Sequence, residues 1–405
     1  MNGVKMKKPL PLAGVRILSA EQYGAGPFGS MMLADLGAEV IKIENPRDGG
    51  DISRTTGPYF LGDKDSHFFQ SFNRNKKSLT LDLKSPDGQE VFRRLAKSSD
   101  AVMNNLRGDQ PAKLGLTYEA LKAVRPSIVC VHLSAYGRDN DRAHWPGYDY
   151  LMQAEAGYLY LTGEPDGPPA RMGLSIVDYM TGITTALSLL AALMGAQRSG
   201  QGRDVDVSLF DVALAQLTYP ATWFMNDGHV TKRMARSAHP SAVPCQLVRA
   251  SDGWMFVMCM TPKFWQALVE GIGRPEWLDD PRFATPATRR DHRDVLSALL
   301  DEVFSGATTR KWMQRFAGKL PVAPVMDIEQ ALTNPFVGEV GMVQSMPHPH
   351  APEGALRVLA NPVKLDGERL PTKACEPLGT ATDALLHEVG YSDSAIASLR
   401  AAGVV

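Results

Sequence analysis

Cysteine is scarce in this chain of 405 residues, with Cys130, Cys245, Cys259 and Cys375 widely scattered. No CxxC or Cys/His ligand spacing occurs, so neither a disulfide framework nor a zinc site is expected, and no other metal. The four thiols read as small buried apolar groups in a reducing compartment. Net charge is also lacking: 43 Lys plus Arg stand against 44 Asp plus Glu, giving -1. Such balance argues against broad nucleic-acid binding, while leaving room for a local basic pocket. The most apolar run, Ile183 to Met194, falls short of the ~20 residues of a membrane span. The basic, polar opening from Met1 to Pro11 has no apolar core of a signal peptide. A cytoplasmic chain without membrane contact is the expectation. Finally, the glycine loop Gly24-Ala25-Gly26-Pro27 is not GxGxxG, so no dinucleotide site is claimed.

What is present is an ordinary globular composition, 44% apolar and 21% charged, in a chain long enough for two domains. Val15 to Leu18 reads as a buried strand, Pro27 to Leu36 as a helix closed by Gly37, and Ala38 to Ile43 as a second strand. That β-α-β unit opens a parallel sheet. Leu79, Leu81 and Leu83 alternate as in a strand, and Ser85 caps a helix to about Ser98. Further strands are expected at 101–103, 128–133 and 204–209, and a helix over 210–225. The fold class is α/β, an open parallel Rossmann-like sheet. Residues 1–225 would form the N-terminal part of the large domain. Residues 226–329 would form a small α+β domain with a hairpin at 245–258, and 330–405 would return to the large domain.

Chemistry concentrates around Asp178. It follows a turn-rich run, Thr162 to Pro169, and precedes an apolar helix to about Arg198. In that helix Leu187, Leu190, Leu193 and Met194 recur at helical spacing, which predicts a core face. A carboxylate in a first helical turn feels the dipole and free N–H groups, which favour its ionised form. Asp178 then has two readings, a helix cap or a covalent nucleophile. Asn104 to Gly108 lies at the C-terminal end of a strand, where ligands of open sheets gather. Arg107 and Lys113 are the basic side chains there suited to phosphate, or else ordinary surface charges. Arg74, Lys76 and Lys77 are a solvated charge run or the lining of a groove.

The stretches Gly147-Tyr148-Asp149, Thr162-Gly163-Glu164-Pro165 and Ser175 to Gly182 together resemble the class III coenzyme A-transferases, the formyl-CoA transferase-like family. So do Asn73-Arg74-Asn75-Lys76-Lys77-Ser78 and Gly200-Gln201-Gly202. The resemblance runs from about Leu12 to Met225. It implies that Asp178 is the acyl-accepting nucleophile. It also implies that Tyr23, Gly24 and Ala25 lie along the pantetheine arm and Leu81 near the adenosine. Asn105, Leu106, Lys113 and Leu114 would be further CoA contacts. Arg74, Lys76 and Lys77 would line the CoA groove. Where family members often carry a basic residue this chain has Asn45, with Arg47 as a substitute. The related α-methylacyl-CoA racemases place a proton-shuttling His where this chain has Tyr148. A tyrosine, titrating near pH 10, suits α-proton exchange poorly. Their hairpin Glu is absent too, Pro244-Cys245-Gln246-Leu247 holding no carboxylate. Formyl-CoA transferases carry a glycine-rich loop where this chain has His239 and its neighbours.

The resemblance therefore implies acyl-CoA:carboxylate CoA transfer, with acyl-CoA as substrate and no permanently bound cofactor. Succinyl-CoA and a small dicarboxylic acid are the preferred pair, with Arg107 or Arg171 facing a distal carboxylate. It implies an interlocked, ring-shaped homodimer. The alternatives are a racemase or a non-catalytic CoA-binding protein.

Overall fold

A computed structural model describes residues 8–405, so the opening basic stretch before Lys8 lies outside the described residues. In chain order the elements are β1 (Arg16–Ala20), α1 (Ala25–Asp35), β2 (Glu39–Glu44), α2 (His67–Asn73) and β3 (Lys77–Thr80). Then follow α3 (Pro86–Lys97), β4 (Ala101–Asn104), α4 (Tyr118–Leu121), β5 (Val129–Ser134), α5 (Asp149–Glu155) and α6 (Tyr158–Leu161). Next come α7 (Ile176–Ser199), β6 (Arg203–Ser208) and α8 (Leu209–Ala215). Contacts divide the chain into two units. The first holds residues 8–156, 173–217 and 338–405; the second holds 157–172 and 218–337.

The first unit is built on a six-stranded sheet in the order β3-β2-β1-β4-β5-β6. Every neighbouring pair in it is parallel. Parallel strands are covered on both faces, so successive residues enter different cores. Leu18, Ile41, Val102 and Cys130 pack with Val91, Phe92 and Leu95 of α3 and with Leu385, Leu386 and Ile396. Ile17, Val40, Met103 and Val131 pack on the other face with Leu33, Ala186 and Leu189. Each fully buried Leu or Ile contributes about 1.5–3 kcal/mol, so the two cores hold the sheet between helical layers. The C-terminal residues complete the β3 edge: Thr382 Oγ1 accepts the Thr80 N–H at 3.0 Å, and the Ala381 N–H donates to Ser78 O.

The long apolar helix is there, but its buried face is not the predicted one. Leu187 is 67% exposed and Met194 is also exposed; of the expected stripe only Leu193 is fully buried. The inward face is Val177, Thr181, Gly182, Thr185, Ala186 and Leu189. The reason is close packing against α1. A methyl group at Gly29 would stand 2.5 Å from Gly182 O, and one at Gly182 would stand 2.6 Å from Ala25 O. Two helices this near accept only small residues at the crossing, so glycine makes it, and Leu189 and Leu193 are buried further along α7. Thr181 and Thr185 donate to carbonyls one turn back within α7, which lets polar residues occupy the interior. By length and composition α7 is long and apolar enough to cross a membrane. The expected helix at 210–225 divides at Gln216–Leu217, before Thr218 with a positive φ.

The second unit has a three-stranded antiparallel sheet of β7 (Cys245–Arg249), β8 (Trp254–Met258) and β9 (Val322–Pro324). Gln246 faces Val257, which faces Val322. Its core gathers Trp265, Leu268, Phe304, Trp312 and Phe316.

The two glycines of the helix crossing should be intolerant. Gly29→Ala is expected to lower unfolding stability by about 1–3 kcal/mol through overpacking. Gly195→Ala, in the same α7 with nothing within 4 Å, is expected to raise it by roughly 0.5–1 kcal/mol. Urea unfolding of both variants beside the parent checks the pair; equal effects would contradict the packing account.

Candidate active site

In the order 3-2-1-4-5-6 the succession of strands reverses between β1 and β4, and ligands of open sheets bind outside the carboxyl ends of the strands at that switch point. The loops after β1 and β4 meet there and are clasped. Asn105 Oδ1 accepts the Gln22 N–H at 2.8 Å, and its Nδ2 donates to Gln22 O at 2.6 Å. Gly26 is needed beneath this clasp, since a methyl group would sit 2.8 Å from Asn105 Cβ. Between Gln22 and Gly24, Tyr23 adopts φ +70, an unfavourable conformation for a side chain with a Cβ. Its N–H is held by Asp51 Oδ1 at 3.1 Å.

A buried ionic frame fixes that loop from behind. Lys42 Nζ pairs with Asp51 at 2.7 Å and donates to Glu21 O at 2.9 Å. Lys76 Nζ pairs with Glu21 at 2.8 Å, and Arg54 with Glu44 at 2.7 Å. Burial alone would raise the Glu21 carboxyl, yet Lys76 and Lys42 hold it below the usual range. The basic cluster expected in a ligand groove is thus mostly consumed inside. Lys76 belongs to this frame, Arg74 is buried on Asp35, and Lys77 pairs with Glu39 at the far end of β2. None of the three lines a described cavity. In the sequence they form a polar charge run, Asn73 to Ser78, and only the tertiary partners reveal the burial.

Asp178 sits in the first turn of α7, 8% exposed, but it does not cap the helix. Asp149 does: its Oδ2 accepts the N–H groups of Val177 at 2.7 Å and of Asp178 at 3.0 Å. Among the described residues no hydrogen-bond donor supports the Asp178 carboxyl. Burial, and then the charge of Asp149, push it up to about 7. The expectation that the helix dipole keeps it ionised is therefore corrected: the dipole's free N–H groups are spent on another carboxylate. Across from it lies bare backbone. A methyl group at Gly24 would stand 2.5 Å from Asp178 Oδ2. The N–H groups of Gly24, Ala25 and Gly26 find no acceptor among the described residues. The Asp178 carboxyl and amides without an acceptor thus lie on neighbouring segments, and acyl transfer uses such a pair for attack and for oxyanion support.

These groups border a cavity of about 580 Å³, lined by Tyr23, Gly24, Ala25, Asn105, Leu106, Arg107, Gly147, Tyr148 and Asp178 among others. Gly147 lies tight on Ala135, and Tyr148 is 64% exposed with its ring on the wall. Gln22 and Leu106 also line a neighbouring cavity of about 250 Å³, with Leu81 and Leu114. Lys113 lines neither; its ammonium pairs with Asp109 at 2.7 Å. Lys84, Gln110, Ile52 and Trp145, unremarked in the sequence, do line these cavities. Lys84 directly follows the Leu79-Leu81-Leu83 alternation, and that adjacency is the signal that could have found it. Beyond it Asn45, Arg47 and Ser85 border a polar cleft in which Arg47 pairs with Asp82 at 3.2 Å. In the second unit Gln246 is buried on Ser297, and β7 offers no carboxylate.

The model of CoA-transferase family III matches residues 12–382. The succinate–glutarate CoA-transferase of Agrobacterium fabrum is 33% identical over 84% of this chain and 86% of its own length. The human succinyl-CoA:glutarate CoA-transferase is 33% identical over 100% of this chain and 91% of its own. The solved structure of a CAIB/BAIF family protein from Brucella suis superposes with a TM-score of 0.80 at 31% identity, covering 94% of this chain and 100% of that one.

An uncompensated buried carboxylate costs stability. The folded chain holds the Asp178 proton more tightly than the unfolded chain, so stability falls as pH rises from about 4 to about 7. Asp178→Asn removes the cost. It is expected to be more stable than the parent above pH 7, by about 2–4 kcal/mol, with the gain vanishing below pH ~4. Chemical unfolding at pH 8 and pH 4 measures the difference; a variant no more stable at pH 8 would contradict it.

Proposed function

The chain belongs to CoA-transferase family III, enzymes that exchange CoA between a thioester and a free carboxylate, and from that premise we propose that Asp178 carries the transferred groups covalently. The observation that carries this is a buried carboxyl with no donor of its own, on the wall of a cavity and packed against the Gly24 backbone.

An Asp178 oxygen attacks the donor thioester carbonyl. The C–S bond breaks, CoA leaves as thiolate, and an acyl–aspartyl anhydride forms. The thiolate then attacks the Asp178 carbonyl, releasing the donor acid as a carboxylate and leaving an aspartyl-CoA thioester. The acceptor carboxylate attacks that thioester, and the expelled thiolate attacks the acceptor's acyl carbon, regenerating Asp178. A carboxylate enters and a carboxylate leaves, so no proton carrier is required. That agrees with a wall bearing Tyr148 rather than histidine. Free N–H groups at Gly24 to Gly26 take the oxyanion of each tetrahedral intermediate. Alignment does the rest, because a carboxylate is a weak nucleophile unless held close to its target.

CoA would run along the carboxyl ends of the strands. Tyr23, Gly24, Ala25 and Asn105 would follow the pantetheine arm, while Leu81, Leu106 and Leu114 would meet the adenosine. Arg107, Lys84 and Arg47 would serve the phosphates, with Lys113 reaching them only after leaving Asp109. Succinyl-CoA as donor and a small dicarboxylic acid as acceptor are supported by the activities of the two relatives named above. The working unit would be a homodimer, for which the exposed Ile183, Leu187 and Met194 on α7 supply an apolar face.

Asp178→Ala is expected to abolish CoA transfer while CoA binding survives, read by label exchange and calorimetry. Substantial residual turnover would remove Asp178 from the reaction. In the parent, kcat/KM should rise with pH and level off above about 7, since only the ionised Asp178 attacks. A panel of succinyl-, acetyl-, formyl- and oxalyl-CoA against small acids identifies the substrates, and a preference for monocarboxylic acids would overturn the dicarboxylic assignment. Leu187→Glu should halve the mass seen by sedimentation; a parent that already sediments as a monomer would rule the dimer out.

A further inference from the structure

Asp149 is a buried carboxylate, 3% exposed, that borders no described cavity, so it touches no substrate. All its hydrogen bonds are spent locally. One oxygen holds the N–H groups of Val177 and Asp178; the other accepts from Gln153 Nε2 at 2.6 Å. Gln153 is fully buried and reaches on to Leu174 O at 3.3 Å. Two consequences follow. The main chain of Asp178 is pinned from below, which sets the direction of its side chain. And the first amides of α7, which would otherwise favour a negative Asp178, are already occupied by a negative group.

We propose that Asp149 is a positioning residue that sets the reactivity of Asp178, by taking the N-terminal amides of α7 for itself and confronting the nucleophile with a fixed negative charge. This rests on the covalent role of Asp178 proposed above. A carboxylate so treated stays basic and unsolvated, and basicity is what makes it attack a thioester.

Other ionisable groups near α7 leave Asp149 as the dominant partner. Asp35 of α1 is paired with Arg74. His132 of β5 is paired with Asp204 of β6, and Asp206 with Arg138. Glu155 of α5 pairs with Arg142, and Asp211 of α8 is exposed. Cys130 of β5 is held neutral by burial. Tyr150 of α5, Tyr179 of α7, and the cavity-lining Tyr23, Tyr148 and Arg107 complete the surroundings. Burial and then Asp178 and Asp149 push the Tyr179 hydroxyl upward, keeping it neutral.

The test is Asp149→Asn, whose side-chain oxygen still accepts the two amides while the charge is gone. The acid limb of kcat/KM is expected to move down by about one pH unit or more, with a lower plateau and little change in KM. A merely structural role would lower activity at every pH without moving the limb, and an unmoved limb overturns the proposal. Asp149→Ser, a neutral cap of different size, gives the same comparison should Asn impair folding. An activity-independent measurement separates this from failure of the covalent role. The infrared carboxyl band lost in Asp178→Asn should titrate near 7 in the parent and lower in Asp149→Asn. If the band shifts but Asp178→Ala still turns over, the nucleophile assignment fails and the electrostatic coupling stands. If Asp178→Ala is inactive and the band does not shift, the coupling fails alone.

Discussion

Two glycines decide where everything else can go. Gly29 and Gly182 let α1 and α7 approach until backbone meets backbone, with no room for a methyl group between them. That contact brings the N-terminal ends of both helices to one spot. One end presents free amides from Gly24 to Gly26; the other presents Asp178. A larger residue at either crossing position would separate the helices and with them the amides from the carboxyl. The same closeness explains why α7 carries glycine, threonine and alanine beside Leu189 on its inner face while Leu187 lies outside, contrary to what hydrophobic spacing alone predicts.

The second constraint is how the loop after β1 is held. It needs a positive φ at Tyr23 and an exposed row of amides, neither of which a loop keeps unaided. The chain sets a dense ionic frame beneath it, Glu21 with Lys76 and Lys42 with Asp51, all essentially inaccessible to solvent. Buried ion pairs are weak contributors to net stability, because desolvation offsets attraction. Their use here is geometric: Glu21 meets Lys76 between α2 and β3, and Asp51, which holds the Tyr23 N–H, meets Lys42 of β2, so the loop is tied to the sheet at fixed points. Mobile surface lysines could not impose that.

Much of this was legible in the sequence. The parallel sheet follows from apolar runs such as Arg16–Ala20 and Val129–Ser134, and the hairpin Cys245–Arg249/Trp254–Met258 from its alternation and Asp252-Gly253 turn. Asp178 stood out through its neighbours, and it lines one cavity with the glycine loop, Asn105 and Tyr148. What stayed hidden is pairwise. Nothing in the local pattern says that Lys76 points at Glu21, that Asp149 reaches twenty-eight residues ahead to Val177, or that Lys113 turns to Asp109. Side-chain charge is readable along the chain; its partner is a property of tertiary distance. The dipole argument for Asp178 failed for this reason. It was sound for an isolated helix and wrong for one whose first amides already had a ligand.

In the covalent role proposed for Asp178, a carboxyl pushed up to about 7 balances two opposing demands. An ordinary aspartate is wholly ionised at neutral pH but is a feeble nucleophile, its lone pairs engaged by water or donors. One raised much further would be a better base and almost never charged. At pH 7 such a carboxyl loses about twofold in the ionised fraction, while the gain in basicity spans about three units. Burial supplies the larger part of that rise and Asp149 the remainder, and both act through position. The same reasoning accounts for the absence of donors on the Asp178 oxygens. On that reading, an amide bonded there in the resting state would stabilise the ground-state anion, whereas an amide at Gly24 to Gly26 would stay free for the oxyanion that forms only as the thioester carbon becomes tetrahedral. Placing the donors on α1 and the carboxylate on α7 keeps those two roles apart.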